Sequence, residues 1–228
     1  MKRTILLLVL FTTMAQAQEF RQIPMVNVSG EGKVKVVPDQ VSLLISVESK
    51  GQKAIDVKKE NDTKIDAVLK TIKNFNIAKE DFQTQRVALN PNYDYERKKY
   101  NYVATQTVAV LLKDITKYDA LMEALVSTGI NRIDNVEFKS SKILQLQSEA
   151  RKLAVKDAKS KAEDFASALG QKVGKAYTIS DNSQGYYPPR PVMYDKAMSV
   201  SAESAPRETL AVGEMEVMVN VNVGFVLD

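Results

Sequence analysis

The 228-residue chain contains no cysteine, no histidine and no tryptophan. The missing imidazole and thiol groups exclude a Ser-His-Asp hydrolase, a cysteine protease and a zinc hydrolase that relies on His or Cys ligands. Haem with a proximal His or Cys ligand and peroxide reduction by a thiol are excluded for the same reason. We therefore predict that the protein is not an enzyme and that it carries no catalytic residue, metal site or cofactor.

Long apolar runs are also scarce, and the N-terminus holds the informative one. Lys2 and Arg3 precede an apolar run from Ile5 to Phe11, and Ala15-Gln16-Ala17 offers small residues where a signal peptidase cleaves. The pattern predicts a signal peptide over residues 1–17, cut between Ala17 and Gln18. After residue 18 no stretch reaches the roughly 18 to 20 apolar residues of a membrane span. We therefore expect no transmembrane helix in the mature chain, and a periplasmic or secreted, cell-envelope location.

The charge balance argues against a nucleic-acid partner. The precursor has 32 basic and 28 acidic residues, and its net charge is +4. Loss of Lys2 and Arg3 with the signal peptide leaves 30 basic residues against 28 acidic ones, a net charge of +2. A broad phosphate-binding surface requires a larger excess of positive charge.

The first part of the mature chain reads as strands followed by a helix. Residues 26–47 alternate apolar and polar side chains, as a half-buried strand does, and Gly30-Glu31-Gly32 is interpreted as a flexible turn between strands. Residues 53–75 place apolar side chains on one helical stripe. Asn61 lies on that stripe, and either a structural hydrogen bond or a ligand contact would explain it.

Residues 82–112 are predicted to form a long hairpin with its tip at residues 96–99. That register places Tyr95 opposite Tyr100, and Tyr93 opposite Tyr102, so the tyrosines cluster near the end of an extended arm. Packing over the protein's own core is one interpretation of the cluster, and a contact between protomers is the other. The basic residues of the tip would also suit acidic lipid headgroups or glycans.

The rest of the chain alternates helices and strands. Asp114 is expected to cap a helix that runs to about Ser127, and Val136 and Phe138 belong to a short strand. The longest helix is predicted over residues 142–169, where an alanine recurs every four residues and permits close packing. Strands follow at residues 173–179 and 213–227, separated by residues 181–212, which are predicted to be a long flexible loop.

This order of elements predicts one α+β domain over residues 18–228. The domain would contain a mostly antiparallel sheet with a long hairpin arm, packed by about three helices, one of them long and rich in alanine.

Four segments of the mature chain together resemble the SIMPL-domain family, over about residues 24 to 226. They are residues 26–32 with Pro38-Asp39-Gln40-Val41, then residues 90–95, then the long helix with Ala158-Lys159-Ser160-Lys161-Ala162 and Leu169-Gly170, and finally Gly213 with the valine-rich run after it. The resemblance implies an exported bacterial α+β protein of the periplasm or envelope, linked to oxidative stress defence. It also implies homo-oligomers, including ring or channel-like assemblies, and it supplies no catalytic residue.

The sequence therefore favours a non-enzymatic envelope protein that self-associates through sheet edges and the hairpin arm, in support of oxidative or envelope stress defence. Tyr93, Tyr95, Tyr100 and Tyr102 are the candidate oligomer contacts. The expected partners are further copies of the chain and an envelope component. The alternative is a binding module for envelope glycans, lipids or peptides, with residues 181–212 as a lid. A carboxylate-based hydrolase is a third hypothesis, but most acidic residues lie among lysines on predicted helix surfaces.

Overall fold

The computed structural model describes residues 23–182 and 212–228, which form seven strands and three α-helices. The strands are β1 (Met25–Val36), β2 (Gln40–Gly51), β3 (Phe82–Asp94), β4 (Lys99–Leu112), β5 (Arg132–Lys139), β6 (Val173–Asp181) and β7 (Met215–Leu227). The helices are α1 (Ala54–Asn74), α2 (Tyr118–Ser127) and α3 (Ile143–Ala168), and short 3-10 turns lie at Lys79–Asp81 and Ile115–Lys117. The predicted signal peptide and residues 183–211 of the predicted flexible loop lie outside the described residues.

β1, β7 and β6 form a three-stranded sheet with β7 in the centre, and both pairings are antiparallel. Alternate side chains of β7, from Val217 to Phe225, are buried on one face against the alanines of α3. The side chains that alternate along β7 and the alanines that recur every four residues along α3 therefore pack into one core.

β3, β4, β2 and β5 form a four-stranded antiparallel sheet in that order. The alternating apolar residues of β2, from Val41 to Val47, lie almost fully buried beneath α1, and α2 adds Leu121 and Leu125 to the same core. α1 buries the stripe that the sequence predicted, Val57, Asn61, Ile65, Val68 and Ile72. The predicted α+β class with antiparallel pairing and three helices is confirmed, and the strands divide between two sheets. The single domain over residues 18–228 remains a prediction.

The glycines near the N-terminus correct one prediction. Gly30-Glu31-Gly32 is not a turn, because it lies inside β1, where Gly30 pairs with Val221 and Gly32 with Val219. A β-carbon on Gly32 would overlap the carbonyl oxygen of Ala150 and lie 2.6 Å from the backbone nitrogen of Ala154. The glycines are there to let the helix backbone approach the strand.

The hairpin exists as predicted, but its register differs by two residues. Tyr93 pairs with Tyr100 and Pro91 pairs with Tyr102, so the loop at the tip is residues 95–98. The carboxylate of Asp94 accepts a hydrogen bond from the backbone nitrogen of Arg97 at 3.0 Å, and Lys98 adopts a left-handed φ of 51°. This side-chain turn closes the loop one residue earlier on each strand than the run of charges indicated.

The remaining predicted elements agree with the structure to within a few residues, with one refinement. Asp114 does act as a cap, but its carboxylate accepts from the backbone nitrogen of Thr116 in the 3-10 turn that precedes α2. That hydrogen bond is local, so the residue type at position 114 was enough to predict a cap. It could not show whether the capped turn is a 3-10 turn or the start of an α-helix.

Candidate interaction surface

The described residues bring together no metal site of the usual kind. Within residues 23–182 and 212–228, no group of three or more acidic, His or Cys side chains is placed to hold a metal ion. Across the same residues, no helix combines the length and the apolar character needed to cross a bilayer. The features that remain to be assigned are exposed apolar and aromatic surfaces.

The first such surface is the hairpin arm, which we define as residues 91–102. β2 pairs with β4 only as far as Tyr102, so most of the arm extends past the end of the neighbouring strand. Tyr93, Tyr95 and Tyr100 form one cluster, in which the Tyr93 ring lies 5.1 Å from that of Tyr95 and 5.0 Å from that of Tyr100 in edge-to-face contacts. Tyr95 is 84% exposed and Tyr100 is 59% exposed. The three rings therefore contact one another, and the other described residues leave them largely uncovered.

Tyr102, the fourth predicted tyrosine, lies on the same face of β4 as Tyr100 and is half-buried. Arg97, Lys98 and Lys99 lie between Tyr95 and Tyr100 at the tip and are all exposed. The Arg97 guanidinium lies 3.9 Å from the Asp94 carboxylate, which partly balances its charge. The structure thus brings the predicted aromatic residues and the predicted basic residues to one end of the molecule.

The second surface is β3, which is the edge strand of the four-stranded sheet. No strand among the described residues pairs with its outer side. α1 packs mainly against β2 and β4, so the inner face of β3 beside it is only partly covered. Val87 is 69% exposed on this face and Leu89 is 41% exposed. An uncovered edge strand with apolar side chains is a site where another chain can pair or pack.

The same side of the molecule carries a shallow groove of about 530 Å³ between the C-terminal half of α1 and the start of β3. Its lining residues are apolar at the floor and polar at the rim: Leu69, Lys73, Ile77, Lys79, Phe82, Gln83 and Thr84. The sequence analysis missed this groove, since its walls come from α1, the connection after it and β3, and no local pattern links them.

A polar network covers the outer face of the four-stranded sheet. The hydroxyl of Ser46 is buried, lies 2.7 Å from that of Thr107 and donates to the Asp134 carboxylate. Arg132 bridges Asp134 at 2.8 Å and Glu48 at 3.4 Å. The hydrogen bond from Lys50 is the main cause that lowers the pKa of Glu48, and Arg132 adds to it against the opposing effect of burial.

This network joins β5 to β2. The side-chain amide of Asn131 donates to the carbonyl of Glu48 at 2.7 Å and accepts from its backbone nitrogen at 2.9 Å. Asn131, which directly precedes β5, therefore extends the pairing of β5 with β2 by one residue. Sequence reasoning missed the network because its members come from three strands that are distant in the chain.

Asn61 has a structural role. It is buried, and its amide nitrogen donates to the backbone carbonyls of Val47 at 2.9 Å and Ala104 at 3.3 Å. One side chain on α1 thus holds β2 and β4 together, in agreement with the structural interpretation of this residue. Near it, the hydroxyl of Ser49 is buried without a hydrogen-bond partner among the described residues.

Together these observations define a class: an α+β protein of two helix-backed antiparallel sheets, in which one hairpin carries an exposed tyrosine cluster and a partly uncovered apolar edge strand. The sequence profile of the SIMPL family, described as a protein of unknown function (DUF541), matches residues 26–225. The chain belongs to this family, and the predicted resemblance is confirmed.

Several curated proteins are similar over most of their length. The uncharacterized protein YggE of Escherichia coli strain K12 is 29% identical over 186 residues, which cover 80% of this chain and 76% of that protein. YggE of Edwardsiella ictaluri is 28% identical over 195 residues, covering 83% and 82% of the two chains. The 26 kDa periplasmic immunogenic protein of Brucella melitensis biotype 1 is 28% identical over 236 residues, covering 97% and 93%.

Proposed function

We propose that this chain is a non-enzymatic, exported protein of the periplasm or cell envelope that self-associates through the hairpin arm and the free edge of β3. The observation that carries the proposal is the tyrosine cluster of the arm. The Tyr93 ring packs edge to face against the rings of Tyr95 and Tyr100, yet Tyr95 and Tyr100 remain more than half exposed.

The location is supported by two independent observations. The first seventeen residues have the charge, apolar run and small residues of a cleavable signal peptide. The Brucella relative, which aligns over 97% of this chain, is named as a periplasmic protein.

Self-association has a physical rationale in this fold. An uncovered edge strand presents a row of backbone donors and acceptors to solvent, and a second chain can satisfy them. Tyrosine suits such contacts because it buries a large ring while its hydroxyl stays hydrogen-bonded. A closed ring or a two-fold pair would cover the arm of every copy. In this proposal, protection against oxidative or envelope stress would come from assembly or binding, because the chain has no thiol or imidazole.

Replacement of Tyr95 and Tyr100 by Ser tests the arm. We expect the double variant to show a lower native mass by light scattering, because the loss of both rings removes the apolar part of the contact. A matched control replaces Tyr177 and Ile179 on β6 by Ser, since these side chains are 60% and 63% exposed on the other sheet. An unchanged mass of the arm variant, together with an intact circular dichroism spectrum, would contradict the proposal.

A second candidate function is a binding module for an envelope glycan, lipid or peptide. It is supported by the groove between α1 and β3, which has an apolar floor and two lysines at its rim. The groove and the hairpin arm are different surfaces, so the two functions are compatible in one molecule.

A further inference from the structure

The groove between α1 and β3 combines an apolar floor with two basic side chains at its rim. Leu69, Ile77 and Phe82 line it and are only half-buried, although they pack against the core of the four-stranded sheet. Lys73 and Lys79 stand at its rim and are exposed. Neither ammonium group forms an ion pair within residues 23–182 and 212–228.

Three acidic residues lie near the groove, and none of them forms an ion pair with Lys73 or Lys79. Glu80 is next to Lys79 in the 3-10 turn, and its charge is one of the causes that raise the pKa of Lys113. Asp81, in the 3-10 turn beside the groove, is paired with Lys113 at 2.7 Å. Asp66, two turns before Lys73 on α1, is paired with Lys70 at 2.6 Å. The rim of the groove therefore carries two ammonium groups against the nearby carboxylate of Glu80, above an apolar floor.

The apolar floor extends beyond the groove along the strand. Val87 and Leu89 lie on the same face of β3 as Phe82 and Thr84, because all of them pair with the inward-facing residues of β4. From Phe82 to Leu89 the strand pairs with six residue steps of β4, which cover about 20 Å at the usual rise per residue. α1 leaves this track partly open along its whole length, since it packs mainly over β2 and β4.

We propose that the groove binds a single-chain amphiphile with an anionic head, such as a fatty acid or a lysophospholipid. The acyl chain would lie along the inner face of β3, and the carboxylate or phosphate head would contact Lys73 and Lys79. A neutral amphiphile would leave both ammonium groups unmatched. A strand from another chain would pair with the edge of β3, whereas this groove lies on its face. The inference rests on the second candidate function and names its ligand class.

The test uses the mature protein with three probes that share one acyl chain: oleate, oleoyl lysophosphatidate and oleyl alcohol. Binding is measured by titration calorimetry below the concentration at which each probe forms micelles. We expect the two anions to bind about tenfold more tightly than the alcohol, because a charge-assisted contact contributes on the order of that factor. The preferred anion distinguishes a carboxylate head from a phosphate head.

Two variants separate the head contact from the acyl track. In K73A/K79A the affinity for both anions should fall about tenfold, while that for oleyl alcohol stays unchanged. V87D should weaken all three probes, because it places a carboxylate on the apolar track. K152A/K156A removes two exposed lysines from α3 and should leave every affinity unchanged.

Equal oleate affinity in the wild type and K73A/K79A, or no oleate binding by the wild type, would overturn the proposal. A V87D variant with a lower native mass and unchanged affinity for the probes would also overturn it. The inner face of β3 would then be a contact with a second copy of the chain. Y95S/Y100S tests the hairpin arm separately. If the protein bound another envelope ligand but not oleate, the anionic amphiphile would be the wrong ligand class, and the second candidate function, a binding module, would still stand.

Discussion

At Gly30 and Gly32 the absence of a side chain sets the distance between a strand and a helix. Both positions face the alanines of α3, and any β-carbon there would meet the helix backbone. The alanines on the other side of the contact are completely or almost completely buried. The packing is therefore complementary: two missing side chains on β1 are matched by the smallest side chains on α3.

Gly32→Ala should lower the free energy of unfolding by about 1–3 kcal/mol, because the helix must move away from β1 to admit a methyl group. Urea denaturation followed by circular dichroism measures the change. Lys33→Ala, on the exposed side of the same strand, should change stability by less than about 0.5 kcal/mol. A Gly32→Ala variant as stable as the wild type would show that the helix relaxes at no cost.

At the scale of elements, α3 also protects the outer edge of β1. The Asp157 carboxylate accepts a hydrogen bond from the backbone nitrogen of Glu31 at 2.9 Å, and the Lys161 ammonium donates to the carbonyl of Ser29 at 3.1 Å. The hydrogen bond from Lys161 and then that from Glu31 lower the pKa of Asp157 below its ordinary value. Backbone groups that would otherwise be open to another strand are thus occupied by the chain's own helix.

Removal of this cover in D157A/K161A should increase association of β1 edges, seen as a rise in light scattering over time at constant protein concentration. The matched control is K159A/E163A, which removes the ion pair of the same i, i+4 spacing on α3. If both variants scatter light equally, the effect comes from the lost helix charges and the edge contact is unimportant.

At the scale of the whole molecule, one hydrogen-bonded junction joins the connections between the two sheets. Asp39 lies between β1 and β2, and Ser141 lies between β5 and α3. The Asp39 carboxylate accepts from the backbone nitrogen of Ser141 at 2.7 Å and from its hydroxyl, and the backbone nitrogen of Asp39 donates to the carbonyl of Lys139 at 3.1 Å. Both chain crossings are therefore held together at one carboxylate.

The junction predicts a pH dependence. Burial acts to raise the pKa of Asp39, but the hydrogen bonds from Ser141 and from its own backbone nitrogen, together with the charge of Lys142, outweigh it, and the pKa lies below its ordinary value of 3.8. A lowered pKa stabilises the fold above the unfolded-state value, and this contribution is lost as the pH falls through the folded-state value. The stability difference between the wild type and D39N should therefore shrink as the pH falls below 3.8. Urea unfolding from about pH 6 to about pH 2 measures this, and a constant difference would contradict it.

Particular residues show where prediction from sequence succeeds and where it stops. The stripe on α1 and the alanines of α3 were predicted correctly, because helical periodicity depends only on neighbours in the chain. The hairpin register was wrong by two residues, since the side chain of Asp94 decides where the loop closes. Gly30 and Gly32 were misread as a turn because the helix that explains them lies more than a hundred residues away.

The candidate site divides in the same way. The sequence supplied the tyrosines, and the structure showed that Tyr93, Tyr95 and Tyr100 form one exposed cluster on an arm. The groove was unpredictable, because Leu69 and Phe82 belong to different elements that meet only after α1 has packed on the sheet. Likewise, the contact of Ser46 with Thr107 and Asp134 needs three strands in register.

By itself the sequence determined the excluded chemistry, the elements and the α+β class, because composition and periodicity act through residue type and local spacing. Three features could be seen only in the tertiary structure. β3 lies at the edge of its sheet, α1 leaves the apolar face of β3 partly open, and the connections between the two sheets meet at Asp39. Those features depend on which distant segments pair. Each pairing is stabilised by many contacts between segments, so it cannot be read from the residues of one segment alone.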